Sequence, residues 1–263
     1  MRWLRGAWRV LRVLWLIFKG HWRIRREFGA MSAAQRAQAV GQWSSAMLQA
    51  LGVDLHTQGT VPRQGPVLMV CNHVTWLDIL VLHACGHARF VSKSEVHHWP
   101  LIGTMAAAAG TLFIERASRR DAMRVVHQMA AALRAGDVLA VFPEGTTSDG
   151  LGLLPFHANL FQAAISADAP VLPVALRYVD GPSGQNSQAV SFVGDESLVA
   201  SVWRTVCAQG LQVRLAWGQP EAAAGRDRRA WAKDLQQQVH TLWLGLGASQ
   251  PHMPRSAPLQ PRA

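Results

Sequence analysis

The run VLMVCNHVTWLDILVL, from Val67 to Leu82, carries Asn72, His73 and Asp78 inside an otherwise apolar stretch. Packing alone gives no reason for them, because a buried polar group without a partner costs roughly 1–3 kcal/mol. Either the three satisfy one another or they stand at a strand end for chemistry. On one regular helix His73 and Asp78, five residues apart, would face about 140° away from each other. They can meet if His73 lies in a turn after a strand and a helix starts near Thr75. Asp78, one turn in, then accepts a hydrogen bond from one ring nitrogen. That bond sets the tautomer and leaves the other nitrogen as a general base. The chain has no G-x-S-x-G elbow to supply a nucleophilic serine, so activation of a substrate hydroxyl is the simplest reaction for such a pair. A satisfied structural histidine is the competing reading.

Three further strand ends carry polar groups. VSKSE brings Lys93 and Glu95, and GTLFIERASRR brings Glu115 and Arg116 with Arg119 and Arg120 entering a helix. Ligands of α/β sheets gather at the carboxyl ends of strands, and arginines there suit a phosphate; a surface salt bridge is the plainer alternative. In VLAVFPEGTTSDG an apolar strand delivers Glu144, Gly145 and Thr146 into a turn whose N–H groups can face an anion or oxyanion. APVLPVALRY sets Pro173 inside an apolar strand, which suits an edge, a bulge or the close approach of a ligand.

These ends need a scaffold. From Val53 onward short strands alternate with helices, which predicts an α/β fold with a mixed, mostly parallel sheet flanked by helices. Strands are expected over 53–56, 67–71, 89–92, 111–115, 138–142, 171–177, 189–193 and 211–217. Helices are expected near 76–84, 118–135, 156–167, 196–208 and 227–246. Residues 1–52 read as an amphipathic helical hairpin, its second arm capped by Ser32 and stopped by Gly52. Residues 53–248 form the main domain, and the Pro-rich 249–263 is a disordered tail.

The chain has 263 residues, 49% of them hydrophobic, which fits one globular core rather than a disordered chain. A surplus of 26 Lys and Arg over 16 Asp and Glu implies an anionic partner. In the first arm, Arg2, Arg5, Arg9, Arg12, Lys19 and Arg23 fall within about a 100° arc. Trp3, Leu4, Trp8, Leu11, Leu14, Trp15, Ile17 and Phe18 occupy the remaining faces. Arginine toward lipid phosphates and Trp/Leu toward the acyl boundary is the pattern of a helix lying on an anionic membrane; a solvated basic face on a docked helix is the alternative. Nucleic acid is not the expected partner, because the Arg stripe is interleaved with Trp and Leu. The longest uninterrupted apolar run of that arm, 13–18, is far short of the ~20 residues of a spanning helix. Cys71, Cys85 and Cys207 form no CxxC and read as buried small hydrophobes, and with no HExxH or His/Cys cluster no metal is implied.

In order along the chain, NHVTWLD, GTLFIER, FPEGTTS and VLPVALR resemble the four blocks of the glycerophospholipid acyltransferase family, which includes the lysophosphatidic acid acyltransferases. The basic hairpin is similar to the two-helix membrane-binding element of bacterial members. The resemblance implies an O-acyltransferase with His73 as base and Asp78 as its orienting partner. It implies that Arg116, with Lys93, holds the acceptor phosphate and that Phe113 of the same block is a substrate-binding residue. Glu144, Gly145 and Thr146 line the acceptor site, with backbone donors near Gly145 for the oxyanion, and Pro173 belongs to the acyl-donor side. The donor is acyl-CoA or acyl carrier protein, used as a substrate and without a further cofactor, and the site of action is the cytoplasmic face of the inner membrane. One departure stands out: many members using a glycerol phosphate have Arg after Glu-Gly-Thr, where this chain has Thr147. That phrasing looks closer to the branch acylating lyso-ornithine lipid. The expected acceptor is lysophosphatidic acid, with lyso-ornithine lipid as alternative and a non-catalytic membrane lipid-binding protein as the alternative of another class.

Overall fold

A computed structural model of the protein describes residues 2–61, 64–114, 119–181 and 183–247. Glu115, Arg116, Ser118 and the 249–263 tail lie outside the described residues. The chain opens with α1 (Arg2–Glu27) and α2 (Ala33–Leu51), followed by β1 (Val53–Gln58), β2 (Val67–Cys71), α3 (Leu77–Cys85) and β3 (Arg89–Lys93). It continues through α4 (Ile102–Ala108), β4 (Leu112–Ile114), α5 (Arg119–Arg134) and β5 (Val138–Val141). Then come α6 (Phe161–Ala167), β6 (Val171–Asp180), α7 (Leu198–Cys207), β7 (Leu211–Trp217) and α8 (Arg228–Gly245). The strands form one sheet in the order β1-β7-β6-β2-β5-β3-β4, parallel throughout except for the β6–β7 pair.

The central strands are continuous apolar runs because both their faces are covered. Every residue of β2 and of β5 is buried. Alternate residues feed two cores. Met69 and Cys71 pack with Met47, Leu48 and Leu51 of α2 and Leu77 and Val81 of α3. Leu68 and Val70 pack with Met129 and Leu133 of α5, Phe161 of α6 and Trp231 and Leu235 of α8.

The hairpin forms as expected. Ser32 caps α2 in a capping box with Gln35, and Gly52 ends it in the left-handed conformation, φ 80°. The hairpin is nevertheless packed into the main core. Val13 and Leu16 of α1 are buried, Trp43 donates its indole N–H to the Leu16 carbonyl at 2.9 Å, and Gly20 rests against Trp43 and Met105. Two residues assigned from periodicity to the outer faces turn inward. Arg9 donates to the Val206 and Ala208 carbonyls at the end of α7, and Ile17 packs against the core.

The strand expected at 189–193 is not formed. Side chains take its carbonyls instead: Arg204 those of Ala189 and Ser191, Thr205 that of Ala189, and Thr147 that of Phe192. Conversely, α4 and the 3-10 turn Ser94–His98 before it were hidden by Pro100 and Gly103. Gly103 is required there, since a Cβ would sit 2.0 Å from the His97 carbonyl oxygen. The helix expected from Phe156 is a 3-10 turn at Ala158–Leu160 running into α6.

Candidate active site

Register brings the site together. β2 pairs with β5 as Val67↔Val138 through Val70↔Val141, so the turns after both strands emerge side by side at one edge of the sheet. β3 and β4 run parallel to β5 and end at the same edge. His73 stands after β2, and its ring stacks on Phe142 after β5, centroids 3.9 Å apart and planes 8° apart.

The first question of the sequence resolves residue by residue. Asn72 is fully buried and structural: its amide donates to the Leu176 carbonyl at 3.0 Å, and its oxygen accepts the Leu176 N–H at 2.9 Å. It thereby extends the β2–β6 pairing past Cys71↔Val174. His73 and Asp78 meet as the turn-then-helix arrangement requires. The Nδ1 of His73 lies 2.8 Å from Asp78 Oδ2. That oxygen also accepts the N–H groups of Val74 at 2.7 Å and Thr75 at 3.0 Å, and Oδ1 accepts the Tyr178 hydroxyl at 2.8 Å. Asp78 is fully buried, with four donors aimed at it. A carboxylate so surrounded acts as acceptor, so Nδ1 carries the ring proton and Nε2 keeps its lone pair. The His73 side chain is 17% exposed, and among the described residues Nε2 has no hydrogen-bond partner. Burial and the neighbouring Asp78 push the Tyr178 hydroxyl well above the ordinary tyrosine value, so it stays a donor.

In the turn after β5 the backbone N–H groups divide between closing the turn and standing open. Gly145 adopts φ 74°, and its N–H donates to the Phe142 carbonyl at 3.1 Å, closing the turn rather than facing a ligand. Thr146 is exposed, and its N–H makes no hydrogen bond among the described residues. The ring of His157 packs so close to Gly145 that a Cβ there would stand 2.9 Å from it. His157 is exposed and its backbone N–H bonds to the Pro143 carbonyl; sequence reading passed over it, because nothing in its spacing links it to this turn. Thr147 is turned toward the Phe192 carbonyl.

Glu144 is buried, 3% exposed, and neither carboxyl oxygen closes a hydrogen bond of ordinary geometry. Burial pushes its carboxyl up to about 8, with the negative Asp78 adding to the rise and the N–H groups of His73 and Leu154 offsetting part of it. Lys93 is exposed at the end of β3, two strands from His73. Phe113, half-buried on β4 three strands away, meets the His97 ring edge-on at 4.8 Å. Pro173 is not brought to this edge. It lies in an interior strand, opposite Val70 and buried, where the β6–β7 ladder breaks and its carbonyl accepts the Gly218 N–H. Of the edge, the bulge and the ligand approach expected there, the pairing fits a bulge: between Val174↔Trp217 and Val171↔Glu221, two residues of β6 face three of the partner.

A family model described as Acyltransferase matches residues 52–177. The chain is 38% identical over 209 residues to a 1-acyl-sn-glycerol-3-phosphate acyltransferase of Neisseria meningitidis, covering 79% of this chain and 81% of that one. It is 36% identical over 220 residues to a lyso-ornithine lipid O-acyltransferase of Pseudomonas aeruginosa, covering 84% of each. Its fold matches the crystal structure of the 1-acyl-sn-glycerophosphate (LPA) acyltransferase PlsC from Thermotoga maritima at TM-score 0.72 and 19% identity, over 96% of this chain and 100% of that one.

Proposed function

This chain belongs to the acyltransferase family, and from that premise we propose that it acylates the free hydroxyl of 1-acyl-sn-glycerol-3-phosphate to give phosphatidic acid. The observation carrying this reading is the His73–Asp78 contact of 2.8 Å, with Nε2 free of any hydrogen-bond partner among the described residues. Nε2 takes the proton of the acceptor hydroxyl as its oxygen attacks the thioester carbonyl of acyl-CoA or acyl carrier protein. The tetrahedral intermediate collapses, the C–S bond breaks, and Nε2 passes its proton to the sulfur of the leaving thiolate, which departs as the thiol. No covalent acyl-enzyme is formed. Asp78 holds the ring in the productive tautomer and stabilises the imidazolium. The Thr146 N–H is the donor we assign to the oxyanion, and Lys93 with Arg116 the cations we assign to the acceptor phosphate.

The enzyme works from a membrane surface. No described helix is long and apolar enough to cross a bilayer. The outer face of α1 instead exposes Trp3, Leu4, Trp8, Leu11, Trp15, Phe18 and Trp22, flanked by Arg5, Arg12 and Lys19. That combination favours peripheral binding to anionic lipid, on the cytoplasmic side where the acyl donors are.

Lyso-ornithine lipid is the second reading, favoured by Thr147 in place of an arginine and by the Pseudomonas relative. The test is kcat/KM for both lysolipids with one labelled acyl thioester and purified protein in mixed vesicles. A ratio above ten for the phosphate acceptor supports the first reading, a ratio below one tenth the second. Consumption of the thioester with neither lysolipid acylated would overturn both.

A further inference from the structure

The imidazole of His73 lies over the face of the Phe142 ring rather than beside it, centroids 3.9 Å apart and planes 8° apart. Both rings are held in that arrangement. Ser148 donates its N–H at 2.8 Å and its hydroxyl at 3.0 Å to the His73 carbonyl oxygen. The Phe142 carbonyl accepts the Gly145 N–H at 3.1 Å, and its ring packs in turn against Phe90, which is 3% exposed. The face of an aromatic ring is negative and its edge positive. A neutral imidazole there gains ordinary packing. A protonated one places its charge over the negative face, well inside the roughly 6 Å over which a cation is attracted to a ring.

We propose that Phe142 is a positioning residue whose π face is the second partner of the His73 imidazolium, favouring the protonated ring and so the removal of the acceptor proton. The ring starts neutral, with its proton on Nδ1 and a lone pair on Nε2. It becomes a cation when Nε2 takes the hydroxyl proton and neutral again when that proton passes to the leaving sulfur. Asp78 meets the cation in the plane of the ring, at Nδ1 and 2.8 Å. Phe142 meets it perpendicular to that plane, so Nε2 stays open to the acceptor. Only an interaction stronger in the transition state than in the ground state accelerates the step, and this one strengthens as the charge appears. The His73 side chain is 17% exposed, which limits the water that would screen the attraction.

This inference rests on the reading of His73 as base. The full-length protein is compared with Phe142→Leu and with forms carrying mono-, di- or trifluorophenylalanine at position 142. Fluorine withdraws charge from the ring face with little change of shape, whereas leucine keeps an apolar filling and has no such face. Acyl transfer is followed in single turnover at saturating substrates, so that product release does not mask the step, and KM values are taken separately. The rate should fall stepwise with each fluorine. In Phe142→Leu it should fall about two- to thirtyfold, the range of cation–π energies expressed as a rate. Acceptor and donor KM should stay within about threefold of wild type. A flat fluorine series would overturn the proposal even with a slow Phe142→Leu, because packing alone would then account for the loss. A loss carried by the acceptor KM with the rate kept would also overturn it, making Phe142 a contact of the acceptor. If Phe142→Leu does not fold, the fluorine series decides alone. Failure of the His73 reading would appear separately, as activity surviving in His73→Ala; a flat series with His73→Ala inactive overturns the role of Phe142 alone.

Discussion

Asp78 accepts four hydrogen bonds, and each donor ties it to a different part of the site: the ring of His73, the two amides of its own turn and a hydroxyl from β6. Asp78→Asn removes the charge and puts an NH2 donor where only donors already point, so either Tyr178 or the three donors at Oδ2 lose their acceptor. Activity should fall by about 10²-fold or more, and the melting temperature should fall with it, both measured on the same preparation. Tyr178→Phe is the milder probe. It strips one bond from a buried carboxylate, which costs roughly 1–3 kcal/mol. The expected result is a clear drop in denaturant midpoint with kcat reduced far less than in Asp78→Asn. Equal loss of activity in the two would mean that Tyr178 acts in the reaction itself. The pairing of His73 with Asp78 was readable from a spacing of five residues once a turn was placed between them. Tyr178 was not, because a partner 100 residues away leaves no local signal.

At the scale of the element, α1 has three faces where the sequence suggested two. One face carries Gly6, Val13, Leu16 and Gly20 and is buried in the protein. A second carries the tryptophans and Leu11 and Phe18, all exposed, and the cations stand between them. Periodicity detects amphipathicity but cannot say which apolar face meets protein and which meets lipid, and so Ile17 and Arg9 were misassigned. Deleting residues 1–27 is for this reason a poor test of anchoring, since it uncovers core. Replacing Trp8, Trp15 and Phe18 by Ser alters only exposed positions, where substitutions usually stay within about 0.5 kcal/mol of stability. The triple variant should melt like wild type and fail to pellet with anionic vesicles. Wild-type pelleting should weaken as salt rises, since each basic residue near the surface contributes about 1 kcal/mol that ions screen. Undiminished pelleting of the triple variant would remove α1 as the anchor.

Taken as a whole, the molecule is a three-layer α/β sheet whose chemistry is gathered at one edge. The alternation of apolar strands and helices, the strand ends bearing Lys93 and Glu144, and the capping of α2 were all legible in the sequence, since each depends on nearest neighbours in the chain. What long-range pairing decides was not. The 189–193 segment had strand composition but gave its carbonyls to Arg204, Thr205 and Thr147. Which N–H near Gly145 is left open was not legible either: that of Gly145 closes its own turn. Pro173 suited an edge, a bulge or a ligand's approach, and it sits buried in an interior strand. Joining these parts is the base we propose for acyl transfer to a lysolipid, Nε2 of His73, which has no hydrogen-bond partner among the described residues. The direct measurement is the turnover of His73→Ala at saturating labelled acyl-CoA and 1-acyl-sn-glycerol-3-phosphate in vesicles, on protein whose melting and vesicle binding match wild type. The predicted result is formation of the diacyl product slowed by 10²–10⁴-fold, a range typical of a lost general base. A variant retaining more than about a tenth of wild-type kcat would contradict it.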